Sequence, residues 1–506
     1  MLNMELDVTQ ILLATAGLLL TYFLIGWLKD PIRKIPGPPG LPILGNVLHL
    51  DTENLHHQFF GFARQYGAVM KIRIFTVPVV IINSKEACLE ALTKTGTDFQ
   101  GRPPLKRLLE IVPKDIVFQN VTEEQVMMRR IFYKAMKAYG PGIGHLENIM
   151  QETLRDMVDS IDQKGNQAID TVNLSVGYVC CVIAAMLFGE KHSYDSEVCR
   201  RMNQVNEELV AATDPFTSGG ALDAVPFLFQ FKFLFRESHK MLNSATKTVN
   251  DFINMTLQEV KACHDPNQKR GCVDYFLEVQ RQELSEDGAT LISDDHLKGL
   301  LLDFITAGLE TSRRSLSQIF LDLLHDPALQ KKLQAEVDSQ FEPAHTITLK
   351  DREKLPQVES YLLEHFRYLT QIPLMVPHMT IRDTKVAGYK VPANTVVIMN
   401  SFYTAHDPDV YDEPFKVKAE RFLDENGQLV DRDHPYRENF LGFGAGRRAC
   451  PGEVLAKSRI FLFLVNILQK YTVELAGELP DRDVRKYPMS ILLAPPSVKV
   501  RFVRRQ

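Results

Sequence analysis

The chain has 506 residues, 45% of them hydrophobic, and a formal net charge of -5 at pH 7. That length accommodates one large core or two domains, and the slight acidity, with no basic run interleaved with aromatics, argues against a nucleic-acid binder. The 7 cysteines are odd in number and scattered, Cys180 and Cys181 are adjacent, and no Cys-x-x-Cys or Cys/His zinc spacing occurs, which points to a reducing compartment without a disulfide framework. The sequons at Asn120, Asn173 and Asn254 then read as chance matches.

Val8 to Leu28 is an uncharged apolar run, about the 20 residues needed to span a bilayer. No basic region precedes it and no small-residue cleavage site follows, so it reads as a retained anchor rather than a signal peptide. Glu5 and Asp7 stand before it and Lys29, Arg33 and Lys34 after it, which places the body on the cytosolic side; Tyr22 and Trp27 suit the membrane interface. Residues 1–34 are thus an anchor with its basic flank, and the proline-rich run 35–42 (Ile35 to Pro42) a stiff connector or hinge.

His56 to Tyr66 has a helical pattern, and the β-branched runs Val69–Ile74 and Val77–Ile82 predict a hairpin. Ser84 caps a further helix, and Asp98-Phe-Gln-Gly-Arg-Pro103 closes this part. Glu123 to Gly189 reads as helices. The dense apolar cluster Val225 to Phe235 is either core or a surface that dips into a membrane, and the polar stretch Asp265 to Lys269 is an exposed loop.

Ser293, followed by Asp294 and Asp295, opens a long helix that Asp326-Pro327 stops while starting the next. At about 1.5 Å per residue it is on the order of 45 Å long and crosses the whole body. Its middle holds Ala307-Gly308-Leu309-Glu310-Thr311-Ser312. A glycine there costs about 1 kcal/mol, so it asks for a reason: Ala307 and Gly308 leave room for a flat cofactor and for dioxygen. The Thr311 hydroxyl can bond back to a carbonyl one turn earlier, and Glu310 with Thr311 forms an acid–alcohol pair able to deliver protons.

Glu364 and Arg367, three apart on an amphipathic helix, share a face. Ile372 to His378 is an extended apolar stretch, and Gly388–Pro392 with Thr395–Met399 reads as a strand pair. The most informative segment is Phe443-Gly-Ala-Gly-Arg-Arg-Ala-Cys-Pro-Gly452. Gly444 and Gly446 allow a backbone that approaches a bulky planar partner, amide N–H groups and the next helix N-terminus favour a thiolate at Cys450, and Arg448 offers a cation to an acidic group on that partner. One thiolate, a close backbone and a fixed arginine suit a haem with an axial cysteine.

Phe443 to Gly452 matches the signature Phe-x-x-Gly-x-Arg-x-Cys-x-Gly at every fixed position, and the chain thereby resembles the cytochrome P450 family over nearly its whole length. The resemblance implies a mainly α fold with a minor β region behind the N-terminal transmembrane helix, with residues 43–506 as the haem-thiolate catalytic domain. Within the family the chain looks most like animal microsomal members near the steroid 17α-hydroxylase and the aryl-hydrocarbon and drug oxidisers. The implied activity is hydroxylation of a lipophilic small molecule, steroid-like or planar aromatic, with O2 and NADPH-derived electrons. The implied cofactor is haem b, with Cys450 on the iron and Arg448, His378, Arg129, Phe443, Gly444, Ala307 and Gly308 around it.

The same resemblance gives Glu310 and Thr311 as catalytic, Glu364, Arg367 and Arg421 as a buried scaffold triad, and Leu374, Met375, Val376 and Ile491 as pocket residues. It departs from the pattern at Gln125, where the family has a tryptophan, and at Ala419, where a proline is usual. Partners implied are NADPH-cytochrome P450 reductase, cytochrome b5 and the endoplasmic-reticulum membrane, with no nucleic acid. Lys457, Arg459, Arg447, Arg130 and Lys134 form a candidate basic patch for the acidic electron donor. Two other classes stay open: a reductase-independent isomerase or dehydratase of the same fold, and a non-catalytic haem sensor.

Overall fold

The computed structural model describes residues 8–28, 30–138, 143–193, 196–263, 265, 270–282 and 292–505. Glu5, Asp7, Lys29, the Trp27 side chain and the loop 266–269 lie outside the described residues. Val8–Leu28 forms one helix of 21 residues, about 30 Å long at the usual rise. Its described apolar side chains, Leu13, Leu18, Leu19, Leu20, Tyr22, Leu24 and Ile25, are exposed. A second helix, Thr171–Phe188, is apolar enough to span a membrane by composition, yet it is buried almost throughout and belongs to the core.

The proline-rich run is docked rather than free. Lys71 donates its backbone N–H to the Pro36 carbonyl (2.8 Å), and the Asn46 amide donates to the carbonyls of Pro38 (3.3 Å) and Pro39 (3.1 Å). Just before it, Asp30 pairs with Lys71 (3.2 Å) and Arg73 (2.9 Å), while Ile32 and Ile35 are buried against Val69 and Val80. The run expected as a stiff connector or hinge is held to Lys71 and Asn46 by backbone carbonyls that proline leaves free to accept.

Among the described residues the chain is predominantly helical with three small sheets. Strands β1 (Val69–Ile74) and β2 (Val77–Ile82) form the predicted hairpin, with Ile74 opposite Val77. β3 (Ile169–Asp170) precedes the core helix, and β4 (His378–Met379), β5 (Thr384–Val386), β6 (Tyr389–Val391) and β7 (Val396–Met399) follow the scaffold helix. β8 (Tyr471–Leu475) and β9 (Lys499–Arg504) close the chain with β3 in the order β3-β9-β8.

The first sheet runs β1-β2-β7-β4, with β7 parallel to β2 and antiparallel to β4. The strands expected to pair around Pro392 and Thr395 both exist, but not as a pair. β6 turns back on β5 through Ala387 and Gly388, both at positive φ (47° and 80°), the backbone of a tight hairpin turn. β7 (Val-Val-Ile-Met) is apolar on both faces and takes an inner position instead.

The long helix runs Asp294–His325, 32 residues, and His296 accepts the Ser293 backbone N–H at its start (3.0 Å). Asp326 accepts from the Leu329 N–H (2.9 Å) and Pro327 opens the next helix, as the sequence predicts. The long helix packs along Thr171–Phe188 and beside the cysteine helix Glu453–Lys470 in one core that includes Ile183, Leu309, Phe320 and Phe463. The cluster Val225 to Phe235 divides: Phe227, Phe233 and Leu234 are exposed, whereas Phe229 packs on the core.

A Cβ on Gly37 would stand 2.1 Å from the Lys71 carbonyl oxygen, backbone that cannot yield. Gly37→Ala should therefore lift the proline-rich run, at a cost of about 1–3 kcal/mol as for other overpacking changes. Limited proteolysis should then cut within 35–42 in the variant and not in the parent.

Candidate active site

A cavity with about 1590 Å³ of space free of protein atoms, part of it open at the mouth, lies between the long helix and the loop before the cysteine helix. On one wall are Ala307, Gly308, Thr311, Ser312 and Ser315; on the other are Phe443, Gly444, Arg448, Cys450 and Gly452. Phe132, Met136, Phe304, Leu369, Ile372, Met375 and Val376 complete a mostly apolar lining.

The cysteine loop is closed by its own backbone. The Cys450 N–H donates to the Phe443 carbonyl (2.8 Å) and the Gly444 N–H to Leu441 (2.8 Å). Gly444 and Gly446 sit at φ 71° and 66°, where glycine is at home. Phe443 packs edge-on against Phe366 (5.5 Å), with the Lys457 ammonium 4.9 Å from its ring centre. Cys450 is exposed only in the sense that its side chain opens onto this cavity. Burial pushes its thiol up from the ordinary range, and the N–H groups of Gly452 and Glu453, at the helix N-terminus, pull it back down.

Cationic groups gather on the same wall. Arg448 donates to the carbonyls of Gln100 (3.0 Å), Ile116 (3.2 Å) and Gln119 (3.0 Å). Arg129 donates to the Ala449 carbonyl. Arg102, within the Asp98–Pro103 stretch, is buried here and donates to Val117 (3.0 Å), Val376 (3.0 Å) and Pro377 (2.8 Å). Burial, then the charges of Arg448 and Arg129, hold Arg102 well below the usual arginine range, and burial with Arg129 lowers Arg448 to about 10.

His378 shares a 2.7 Å hydrogen bond between Nδ1 and the Phe99 carbonyl. Burial and the Arg102 charge hold its pKa well below the usual histidine value. With Nδ1–H on that carbonyl, it offers a second donor only when an anion nearby lets it protonate.

These groups fit a haem. Three guanidiniums that raise one another's energy call for anions among them, and two propionates supply that charge. Cys450 supplies the soft axial ligand. The buried carboxyls nearby offset the cluster only in part, Asp115 favouring the charges of Arg102 and Arg448 without forming an ion pair with either. Asp115 caps the N–H groups of Val117, Phe118 and Gln119, and Asp303, a further cavity residue that the sequence did not single out, accepts from Ile116 (2.8 Å). Burial pushes both of them up, Asp303 strongly. Gln125 is buried and donates to the Ile116 carbonyl (2.9 Å), so it supports the Arg448 segment without lining the cavity.

Several expectations need correction. Glu310 is not on the wall. Its carboxylate is gripped by Arg313 (2.6 Å), Arg314 (2.6 Å) and the Asn206 amide (3.0 Å), off the cavity lining. Burial alone would raise its pKa, but the Arg313 hydrogen bond and the charges of Arg314 and Arg313 hold it at about 2. Thr311 does line the cavity and donates to the Ala307 carbonyl (2.7 Å), the back-bond that the sequence suggested.

Gly308 lines the cavity with its backbone, but its missing Cβ faces Ile183, whose Cδ1 would be 3.0 Å away. The glycine thus also gives Ile183 room in the packing of the two helices. Leu374 is buried in a separate cluster with Phe59 and Tyr368, and Ile491 is half-buried off the wall. Met375, at φ 48°, and Val376 do face the cavity. Arg459 is buried and cannot join a surface patch, although Arg447, Arg130 and Lys134 are exposed.

The scaffold triad is assembled and buried. Arg367 forks onto Glu364 (2.6 and 2.8 Å), Arg421 reaches the same carboxylate (3.1 Å), and Arg367 also bonds the carbonyls of Ala405 (2.8 Å) and Pro414 (2.9 Å). Phe366, on the same helix, carries this rigidity to Phe443.

Comparison with known proteins agrees with this geometry. A family model described as Cytochrome P450 matches residues 35–502. The rat protein named Cytochrome P450 1A1 is 28% identical, with 94% of this chain and 92% of the relative aligned. The rabbit Cytochrome P450 2B4 is 28% identical over 99% of this chain and all of the relative, and the golden hamster (Mesocricetus auratus) Cytochrome P450 2D20 is 30% identical over 90% and 91%. A matched family model over nearly the whole chain, together with a cysteine loop and an arginine-lined cavity built for a haem, places this chain in the cytochrome P450 family, the haem-thiolate monooxygenases.

Proposed function

We propose that the protein hydroxylates a lipophilic small molecule, steroid-like or planar aromatic, at a haem held by Cys450, with electrons passed from NADPH through a membrane-bound reductase and with cytochrome b5 as a second donor. The observation that carries this reading is one cavity lined by Cys450, by the cationic groups of Arg448, Arg129 and Arg102 and by an apolar wall. The exposed helix Val8–Leu28 is read as a single-pass anchor in the endoplasmic reticulum, with 43–506 as the catalytic domain on the cytosolic side. Phe227, Phe233 and Leu234 suit a second contact with the same membrane. The exposed Arg447, Arg130 and Lys134 suit an acidic donor.

When bound, a haem with a thiolate ligand supplies dioxygen activation and oxygen insertion. The chain's own contribution is position, charge and dryness. Cys450 binds the iron, Arg448, Arg129 and Arg102 fix the propionates, and His378 adds a donor once protonated beside them. Phe304, Leu369, Ile372, Met375 and Val376 exclude water and accept an apolar substrate. Thr311 Oγ1 holds a proton at the wall and uses it to close the Ala307 carbonyl, so its lone pairs face the site. Glu310 contributes from a distance. It ties the helix Glu197–Thr213 to the long helix through Asn206, and it reaches Thr311 only by leaving two arginines.

Cys450→Ala should leave a folded protein without the Soret band of a thiolate-ligated haem. Arg448→Ala and Arg129→Ala should each weaken haem retention roughly 10- to 100-fold, the range of one charged hydrogen bond, read by haem transfer to an acceptor protein.

Glu310 is held at about 2, below its ordinary value, so it adds stability at neutral pH that is lost as pH falls from the unfolded value near 4.5 through about 2. Glu310→Gln should therefore lower the melting temperature at pH 7 and flatten its decline between pH 5 and 3.

Titrating the full-length ferric protein with steroids and planar aromatics, followed at the Soret band, tests the substrate class. A low- to high-spin shift with either class supports the reading. No shift with any lipophile, in protein that retains haem, contradicts it and favours a sensor.

A further inference from the structure

Arg459 is a charged cavity residue that the mechanism above does not use. It lies in the cysteine helix and is 1% exposed. Its Nη2 donates to the Gly308 carbonyl (2.8 Å) and to the Ser312 hydroxyl. Nε and Nη1 have no hydrogen-bond partner among the described residues, and no carboxylate pairs with it among them. The groups nearest in charge are the Tyr178 phenol and the Cys180 thiol, both pushed upward by burial and so neutral at pH 7. Burial lowers Arg459 only to about 10, and it stays charged.

A buried ion without a partner is unfavourable by several kcal/mol, and an apolar side chain of similar size is usually neutral or better in its place. Packing alone therefore gives no account of this arginine. Its place on the wall distinguishes it from the propionate cluster. Arg102, Arg129 and Arg448 bond to the segments around 100–119, 376–377 and 449, whereas Arg459 bonds to the middle of the long helix.

We propose that Arg459 is an electrostatic positioning residue for the haem, whose fixed charge on the cavity wall favours the ferrous over the ferric iron while its clamp on Gly308 and Ser312 fixes the long helix beside Thr311. The inference rests on the haem-thiolate reading. In the step concerned, ferric haem takes one electron from the external NADPH-fed donor and becomes ferrous. The charge of the site falls by one, no covalent bond forms or breaks, and Arg459 keeps its proton. A fixed cation attracts the more negative state more strongly, and it does so most in a dry interior where nothing screens it. The propionates offset charge at the edge held by Arg102, Arg129 and Arg448, whereas no carboxylate among the described residues pairs with Arg459.

The test is a spectroelectrochemical titration of the full-length holoprotein at the Soret band, comparing the parent with Arg459→Met, Arg459→Gln and Arg459→Lys. Arg459→Gln keeps a donor for the Gly308 carbonyl and removes the charge, so it separates charge from shape. At an applied potential equal to the parent midpoint, the ferrous-to-ferric ratio should fall on the order of tenfold in the Met and Gln variants and stay near the parent value in the Lys variant. Both uncharged variants should melt no lower than the parent, since each removes an unpaired buried ion. A midpoint unchanged in Met and Gln, or one that moves equally in Lys, overturns the proposal while leaving the haem reading intact. A folded parent with no Soret band overturns the haem reading and this inference with it.

Discussion

Guanidinium groups crowded on one low-dielectric wall repel one another unless an anion sits among them, and much of the site follows from that constraint. Arg102, Arg129 and Arg448 come from three distant parts of the chain, yet each lines the same cavity. Backbone carbonyls take up their donors only in part, and the buried carboxyls nearby are already engaged with backbone N–H groups. The fold therefore presents a positive edge whose complement is a dianionic planar ligand. The loop that carries Cys450 is closed on its own backbone a short way along the same wall. Neither feature alone specifies a haem; together they would hold its acidic edge and its iron.

Rigidity reaches this loop through buried charge of a different kind. Glu364 is fully buried and accepts from two arginines and from the Lys418 N–H, so its desolvation is offset on every side. Removal of one partner would strand the others, at a cost of about 3–5 kcal/mol. The Glu310 cluster repeats the same device on the long helix, where it joins two helices and the turn at Leu493 through Arg314. The Glu364 triad is the buried scaffold that the resemblance implies, and Glu310, which reads in the sequence as half of an acid–alcohol pair, is engaged by arginines in the same manner.

Much of this was legible in the residues. The cysteine loop, the long helix with its Asp326-Pro327 stop and the Val69–Ile82 hairpin rest on local rules of spacing, capping and alternation, and the structure has them where those rules put them. What was illegible depends on contacts between distant segments. Which face of the long helix meets the cavity cannot be read from Glu310 and Thr311 being adjacent, because neighbours on a helix point about 100° apart. Gly308 looked like room for a ligand and proved also to be room for Ile183. Arg102 carried no local signal at all, since its role comes from two other arginines far along the chain. The strands near Pro392 were found, but their partners were decided by a two-residue turn and by burial on both faces of β7.

The central claim is that Cys450 is the axial ligand of a haem seated in this cavity. Iron-edge X-ray absorption on the purified full-length protein tests it most directly. The account predicts one sulfur scatterer on the iron beside the porphyrin nitrogens, present in the parent and lost in Cys450→Ala. Iron with nitrogen and oxygen neighbours alone in the parent, or a sulfur scatterer that survives the substitution, would contradict it.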